Sequence, residues 1–457
     1  MTRGHALDEP RRWLVMPVET KARELDAKAL LAFIAAERGW GTILATSRTA
    51  SAPDLPRGVF LGHTISHGEA RLLRTQRARG ATPAAWCEEG LVYRDAADYG
   101  RRKVETDAYD QLDVFFAWGP NQARDMVDAL GCDGRKLVIA GNPRFDVLRP
   151  EWRPALGERV SALREAYGRF ILVNSNLNKY NHYFGPEFYV RRAIGTMTGD
   201  PRSAEQWARG MVAFQATMMR ALVAAVGALS RMCPDHTIVI RPHPSEDHAR
   251  WQTEMTGVPA ARVVYEGNMA AWILAADATV HNNCTTGVEA YLLGKPAIAF
   301  RPVRDPRFDL PLPHALSVEA DSVDSLCALV ARRLAGERLV DVDDAARSAV
   351  AFDHIAGLSD TPACETIMNT LDRLDVAAES VRPGPPAKGG AVANELPPTA
   401  QRWDEARAAR YASYVRQKCD ALGAREVSAW LASARRVAGR FEHVQVADLR
   451  DDLVCVY

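Results

Sequence analysis

The sequence predicts an α/β chain of two doubly wound halves followed by a helical C-terminal segment. Three features predict it. Short apolar runs alternate with helical stretches from residue 13 onward. The alternation breaks at the proline-bounded NPRFDVLRPEW (142–152) and then starts again. A Pro/Gly/Ala-rich stretch at 379–398 then precedes a last amphipathic block. Alternating strand and helix patterns imply parallel sheets covered by helices on both faces.

The elements of the first half follow in order. WLVMPV (13–18) is an unbroken apolar run fit for a buried strand, ELDAKALLAFIAAERG (24–39) has helical periodicity closed by glycine, and GTILAT (41–46) is the next strand. Further strands are expected at 58–62, 82–87, 114–118 and 136–141, with a helix over 120–130. In the second half, strands are expected at RFILVNS (169–175), HTIVIRPHP (236–244), ARVVYEG (261–267), ATVHN (278–282) and PAIAF (296–300), with a long helix over about 204–232. The expected organisation is therefore a domain over 1–155, a second over 156–378, a flexible linker over 379–400 and a helical segment over 401–457. In such sheets ligands gather at the carboxyl ends of the strands, and between two such domains.

Composition narrows the function. The 457 residues carry 57 Lys+Arg against 57 Asp+Glu, so no global field recruits nucleic acid or anionic lipid. The eight cysteines are dispersed without CxxC spacing, which points to reduced thiols and away from a zinc site. The N-terminal apolar run is too short for a signal peptide or membrane span. A cytoplasmic protein is expected, with peripheral contact to the inner membrane left open, and no catalytic metal.

Two stretches at strand ends carry the chemistry of the second half. In HNNCTTGVEAYLLGKPAIAF (281–300) a helix opening at Thr285, Thr286 and Gly287 offers unpaired N–H groups, two hydroxyls and a glycine that admits close backbone approach. Glu289, one turn in, suits vicinal hydroxyls such as those of a ribose. Thr285 as a plain N-cap, with Glu289 as its dipole partner, is the alternative. In RPHPSEDH (241–248), His243 is held between two prolines beside Arg241, a pair suited to an anionic leaving group; a surface turn that starts a helix near Ser245 is the alternative. Ser175, Asn176 and Lys179 of NSNLNKYNH (174–182) are further phosphate-donor candidates, although an Asn-rich turn needs no ligand.

In the first half, WCEEGLVYRD (86–95) places Glu88 and Glu89 directly after an apolar strand. Such a carboxylate can deprotonate an acceptor hydroxyl or attack an anomeric carbon; a solvated glutamate pair is the alternative. His63 and His67 end another strand nearby in sequence, and Asn142 and Arg144 lie at the junction.

RPHP (241–244), NMAAWILAAD (268–277) and HNNCTTGVEAYLLGKPAIAFRP (281–302) together resemble the donor-domain signature of bacterial surface-carbohydrate biosynthesis proteins. These are GT-B glycosyltransferases, with two Rossmann-like domains, related to the capsule and O-antigen Kdo transferases. MPVETKARELDAKALLAFIAAERGW (16–40) and AGNPRFD (140–146) resemble the same family. The resemblance implies a CMP-linked sugar donor contacted by His243, with Thr285 and Thr286 as the hydroxyl pair and Glu289 as the following carboxylate. It implies a glycan or lipid-linked glycan acceptor and a carboxylate nucleophile. Glu89 stands where that family carries an aspartate, so retention of the anomeric configuration stays open. A nucleotide-sugar 2-epimerase or hydrolase, a polyol-phosphate transferase of the teichoic-acid type and a non-catalytic binding protein are the alternatives.

Overall fold

WLVMPV forms β1 (Trp13–Val18) and GTILAT forms β2 (Gly41–Thr46). Both are buried along most of their length, as a continuous apolar run in a two-sided parallel sheet requires. The computed structural model describes residues 9, 11–197, 200–339, 344–380 and 404–457. They form two compact units. Unit 1 comprises Met1–Gly90, Lys103–Ala155 and His354–Tyr457, and unit 2 comprises Leu91–Arg102 and Leu156–Asp353.

Unit 1 adds β3 (Val59–Gly62), β4 (Thr82–Ala85), β5 (Val114–Ala117) and β6 (Leu137–Ile139). Unit 2 carries β7 (Phe170–Asn174), β8 (Thr237–Arg241), β9 (Ala261–Val263), β10 (Ala278–His281), β11 (Ile298–Phe300) and β12 (Val318–Ala320). Its order, β12-β11-β10-β7-β8-β9, reverses between β7 and β10, and every pairing is parallel. The 32-residue helix Pro201–Met232 is apolar and long enough to cross a membrane. Its Met218, Leu222, Val226 and Leu229 nevertheless lie in one core cluster with Ile171, Ile238 and Val280 of the sheet.

The C-terminal segment is not helical throughout. After helices Glu405–Lys418 and Ala424–Ala438 it ends in β13 (Val446–Arg450) and β14 (Leu453–Val456). β14 pairs antiparallel with β2, extending the unit 1 sheet to β13-β14-β2-β1-β3-β4-β5-β6. VADLR and LVCV flank Asp451 and Asp452, and Asp452 takes the left-handed φ of 58° that a tight hairpin needs. Both helices pack onto unit 1, where Trp430 donates to the Asp26 carbonyl at 3.0 Å. Of the expected linker, Glu379 exchanges backbone hydrogen bonds with Arg11, and 381–400 lies outside the described residues. The junction motif GNPRFD is structural. Asn142 caps the turn at Pro143–Asp146, and the buried Asp146 accepts from the N–H groups of Ala363 and Cys364 at 2.9 and 2.7 Å, capping the helix Ala363–Leu371.

Candidate functional site

The carboxyl ends of β7 and β10 mark the reversal of strand order in unit 2, the position where open α/β sheets hold ligands. Two asparagine-rich turns meet there. Asn174 Nδ2 donates to Thr286 Oγ1 at 2.7 Å, the Asn176 N–H to Asn282 Oδ1 at 2.9 Å, and Asn176 Nδ2 to the Asn283 carbonyl at 2.7 Å. Asn283 has a φ of 55°, tolerated by asparagine, and its side chain bridges to Phe308 and Leu310 in DPRFDLP.

Arg241, at the end of β8, is 3% exposed. Nη2 donates to the Gly267 carbonyl at 3.1 Å, and the guanidinium carbon lies 5.0 Å from the Trp272 ring and 5.7 Å from that of Tyr265. Nε and Nη1 are buried without a hydrogen-bond partner among the described residues. Burial lowers the pKa of Arg241 to about 10, opposed by Tyr265, Glu266 and Glu289. A buried donor without a partner costs about 1–3 kcal/mol, more when charged, so this guanidinium is held at a cost that an anion would relieve. Two residues further on, His243 is half-buried. Its Nδ1 accepts from the Ser245 N–H at 3.1 Å, and Asn178 Nδ2 lies 3.2 Å from that nitrogen.

The remaining candidates of this half take several parts. Thr285 holds the N-cap position with helical backbone and without a side-chain cap bond, so capping does not occupy its hydroxyl. Thr286 is buried and accepts from Asn174. Glu289 is 8% exposed, and its charge acts on Arg241. Gly287 serves packing rather than ligand approach: a Cβ there would stand 2.7 Å from His281 Nε2 and 2.8 Å from Ser317 Oγ. Those two groups are 2.9 Å apart, and burial holds the His281 pKa down to about 3, so the ring is neutral. Ser175 does not offer its hydroxyl to a ligand, since it donates to the Glu246 carboxylate at 3.0 Å. Lys179 lies 5.2 Å over the Tyr189 ring.

In unit 1 the carboxyl ends of β1, β3 and β4 carry a charge network. Lys28, 1% exposed, donates to the Pro17 carbonyl at 2.6 Å and to Glu24 at 2.8 Å, and lies 3.2 Å from Glu88. Burial opposes ionisation of Glu24, but Lys28 and Arg23 outweigh it and hold that carboxyl well below the usual range. The two predicted carboxylates part company here. Glu88 is 4% exposed, takes a hydrogen bond from Trp86 Nε1 at 2.9 Å and keeps Oε2 buried without a partner among the described residues. Glu89 faces solvent beside Lys103, with Arg23 at 3.6 Å. Glu88 thus belongs to a buried ion network, and Glu89 is the member of the pair open to an incoming group. His63 lies 3.8 Å from Glu19, whose carboxyl Lys418 draws down to about 2 from a distance of 2.7 Å. His67 is exposed.

Several of these groups escape sequence reasoning. Glu24 and Lys28 stand four residues apart on one helix, a spacing that does signal a pair; the burial that sets its strength is not visible. Lys418, 399 residues from Glu19, carries no such signal.

The fold class is GT-B. The wall teichoic acid polymerase TagF, soaked with CDPG, is similar at a TM-score of 0.51 and 11% identity, over 79% of this chain and 88% of that chain. The UDP-GlcNAc 2-epimerase from Neisseria meningitidis bound to UDP-GlcNAc is similar at a TM-score of 0.49 and 10% identity, over 80% of this chain and 100% of that one. The Methanocaldococcus jannaschii UDP-GlcNAc 2-epimerase in complex with UDP-GlcNAc and UDP gives 0.47 and 12%, over 79% and 99%. No family model and no curated protein matches the chain.

Proposed function

We propose that this protein is a GT-B glycosyltransferase that moves a sugar, Kdo or a related ulosonic acid, from a CMP-linked donor onto a surface polysaccharide or lipid-linked glycan. The observation that carries it is Arg241, a buried guanidinium with two nitrogens unpartnered among the described residues at the ligand end of unit 2. With His243 two residues on in the loop after the same strand, the arrangement suits a phosphate that gains charge as it leaves. The acceptor hydroxyl attacks the anomeric carbon, the bond from that carbon to the phosphate oxygen breaks with its electrons passing to the phosphate, and the acceptor's proton goes to a carboxylate. Glu89, solvent-facing, is assigned that role, or that of nucleophile if configuration is retained. The charge on the leaving phosphate is met by the protein's cations, so the proposal includes no metal ion. Work at the cytoplasmic face of the inner membrane fits such an acceptor.

A second reading, polyol-phosphate transfer from a CDP-linked donor, is supported by the likeness to TagF with its CDPG soak. Both readings place a cytidine nucleotide on unit 2. The test is a thermal-shift panel of CMP, CDP, UDP and GDP on wild type and on His243→Ala. Ligand that binds the native state raises its stability with the logarithm of concentration over Kd. Stabilisation by CMP or CDP, reduced in the variant, is expected. Stabilisation by UDP or GDP alone would redirect the donor assignment to the epimerase alternative or another nucleotide sugar, and no shift with any nucleotide would overturn both readings.

A further inference from the structure

Glu246 is fully buried and receives five donors from three segments. From the turn after β7 come Ser175 Oγ at 3.0 Å, the Leu177 N–H at 2.8 Å and Asn181 Nδ2 at 3.3 Å. From the loop after β8 comes the His243 N–H at 3.2 Å, and from the helix His248–Glu254 comes Trp251 Nε1 at 2.7 Å. The backbone reinforces the same junction: the Tyr183 N–H donates to the Ser245 carbonyl at 2.9 Å, and the Asp247 N–H to that of Asn181 at 2.8 Å. Capping is not Glu246's task. Asp247 does that, accepting from Ala249 and Arg250.

A carboxyl group's two oxygens offer about four lone-pair sites, which the four N–H donors can fill, while the Ser175 hydroxyl, 3.0 Å from both oxygens, is shared between them. An amide in its place would turn an NH2 toward at least two N–H or O–H groups. Burial raises the Glu246 pKa, opposed by these same hydrogen bonds.

We propose that Glu246 is the positioning residue of the unit 2 site, a buried carboxylate that joins the turn 175–181 to the His243 loop so that both meet a nucleotide phosphate as one preformed body. The inference rests on the reading that unit 2 binds a nucleotide. It also explains Ser175, whose hydroxyl is a tie between loops. Preformed loops spare the ordering cost of binding, so loss of the tie weakens affinity even where the fold survives.

The experiment compares CDP affinity in wild type, Glu246→Gln, His243→Ala and the double variant, with the His243 ring Cε1–H resonance followed in the unliganded protein. Glu246→Gln is expected to weaken CDP at least tenfold and to shift or broaden the His243 resonance while that of the unit 1 residue His63 stays in place. In the His243→Ala background the same change is expected to cost no more than threefold, because a residue acting through another is not additive with it. Wild-type affinity in Glu246→Gln, or equal losses in both backgrounds, would overturn the inference. If wild type binds no nucleotide, the functional reading fails by itself, and an unmoved His243 resonance in Glu246→Gln separately refutes the positioning role. Should Glu246→Gln not fold, Ser175→Ala removes one donor only, and an unchanged resonance and CDP affinity in that variant would count against the tie.

Discussion

Each unit buries cations near the carboxyl ends of its strands, and the two treat them oppositely. In unit 1 Lys28 is answered by two carboxylates and a carbonyl, and the half-buried Lys418 by Glu19. In unit 2 Arg241 holds one carbonyl and two aromatic faces, with Nε and Nη1 left over among the described residues. In unit 1 the buried lysine is matched by carboxylates, although Glu88 Oε2 stays unpartnered among the described residues; in unit 2 the buried guanidinium has no carboxylate hydrogen-bonded to it among the described residues.

The comparison is broken most forcefully at Lys28. Lys28→Met leaves Glu24 and Glu88 without their shared cation in the interior and is expected to cost about 3–5 kcal/mol, read from urea unfolding; adding Glu88→Gln should return part of that loss. Arg241→Met should do the reverse. Its unfolding midpoint in the absence of ligand is expected to hold or rise, while CDP affinity falls about 100-fold, or ~2.7 kcal/mol. Weakened stability with unchanged affinity would make Arg241 a structural cation like Lys28.

The adjacent glutamates sharpen the contrast on a smaller scale. Glu88→Gln should cost about 1–3 kcal/mol of stability. Glu89→Gln should stay within about 0.5 kcal/mol of wild type while abolishing transfer and sparing nucleotide binding. Near-normal turnover in Glu89→Gln would remove that carboxylate from the chemistry. The smallest effect belongs to Glu19. Its folded pKa of about 2 lies below the ordinary 4.5, so the unfolded chain takes up the proton first. Stability from the Lys418 pair is therefore complete above about pH 4.5 and lost as pH falls toward 2. The gap in melting temperature between wild type and Lys418→Met should close over that window.

Much of the fold was legible because parallel strands buried on two faces must be written as apolar runs, and β1, β2 and β7 to β11 all lie within the runs that predict them. β12, only three residues long, and the C-terminal hairpin were not. Alternating VADLR reads weakly beside the helices that precede it, and nothing local says that a tail returns to the sheet edge. The positions of Arg241 at a strand end and of His243 in the loop after it were legible because prolines and an apolar run mark them. Glu246 drew no reading of its own because its neighbour Asp247 performs the capping that the stretch advertises, and Gly287 was read for ligand approach because the same absence of a side chain serves a ligand or a histidine equally well. Glu88 and Glu89 are one residue apart, and only the packed structure shows that one is interior and the other open.

The pairing of β14 with β2 also sets a timetable. Residues 453–456 hydrogen-bond to 42–45, so the edge of β2 has no native partner until some four hundred further residues have been made. At typical synthesis rates that interval is roughly 20–80 s, during which an apolar strand edge stands open to any other extended chain in the cell. Birth of this protein is thus a period of custody, and a chaperone that shields strand edges should be found on the nascent chain until its hairpin arrives.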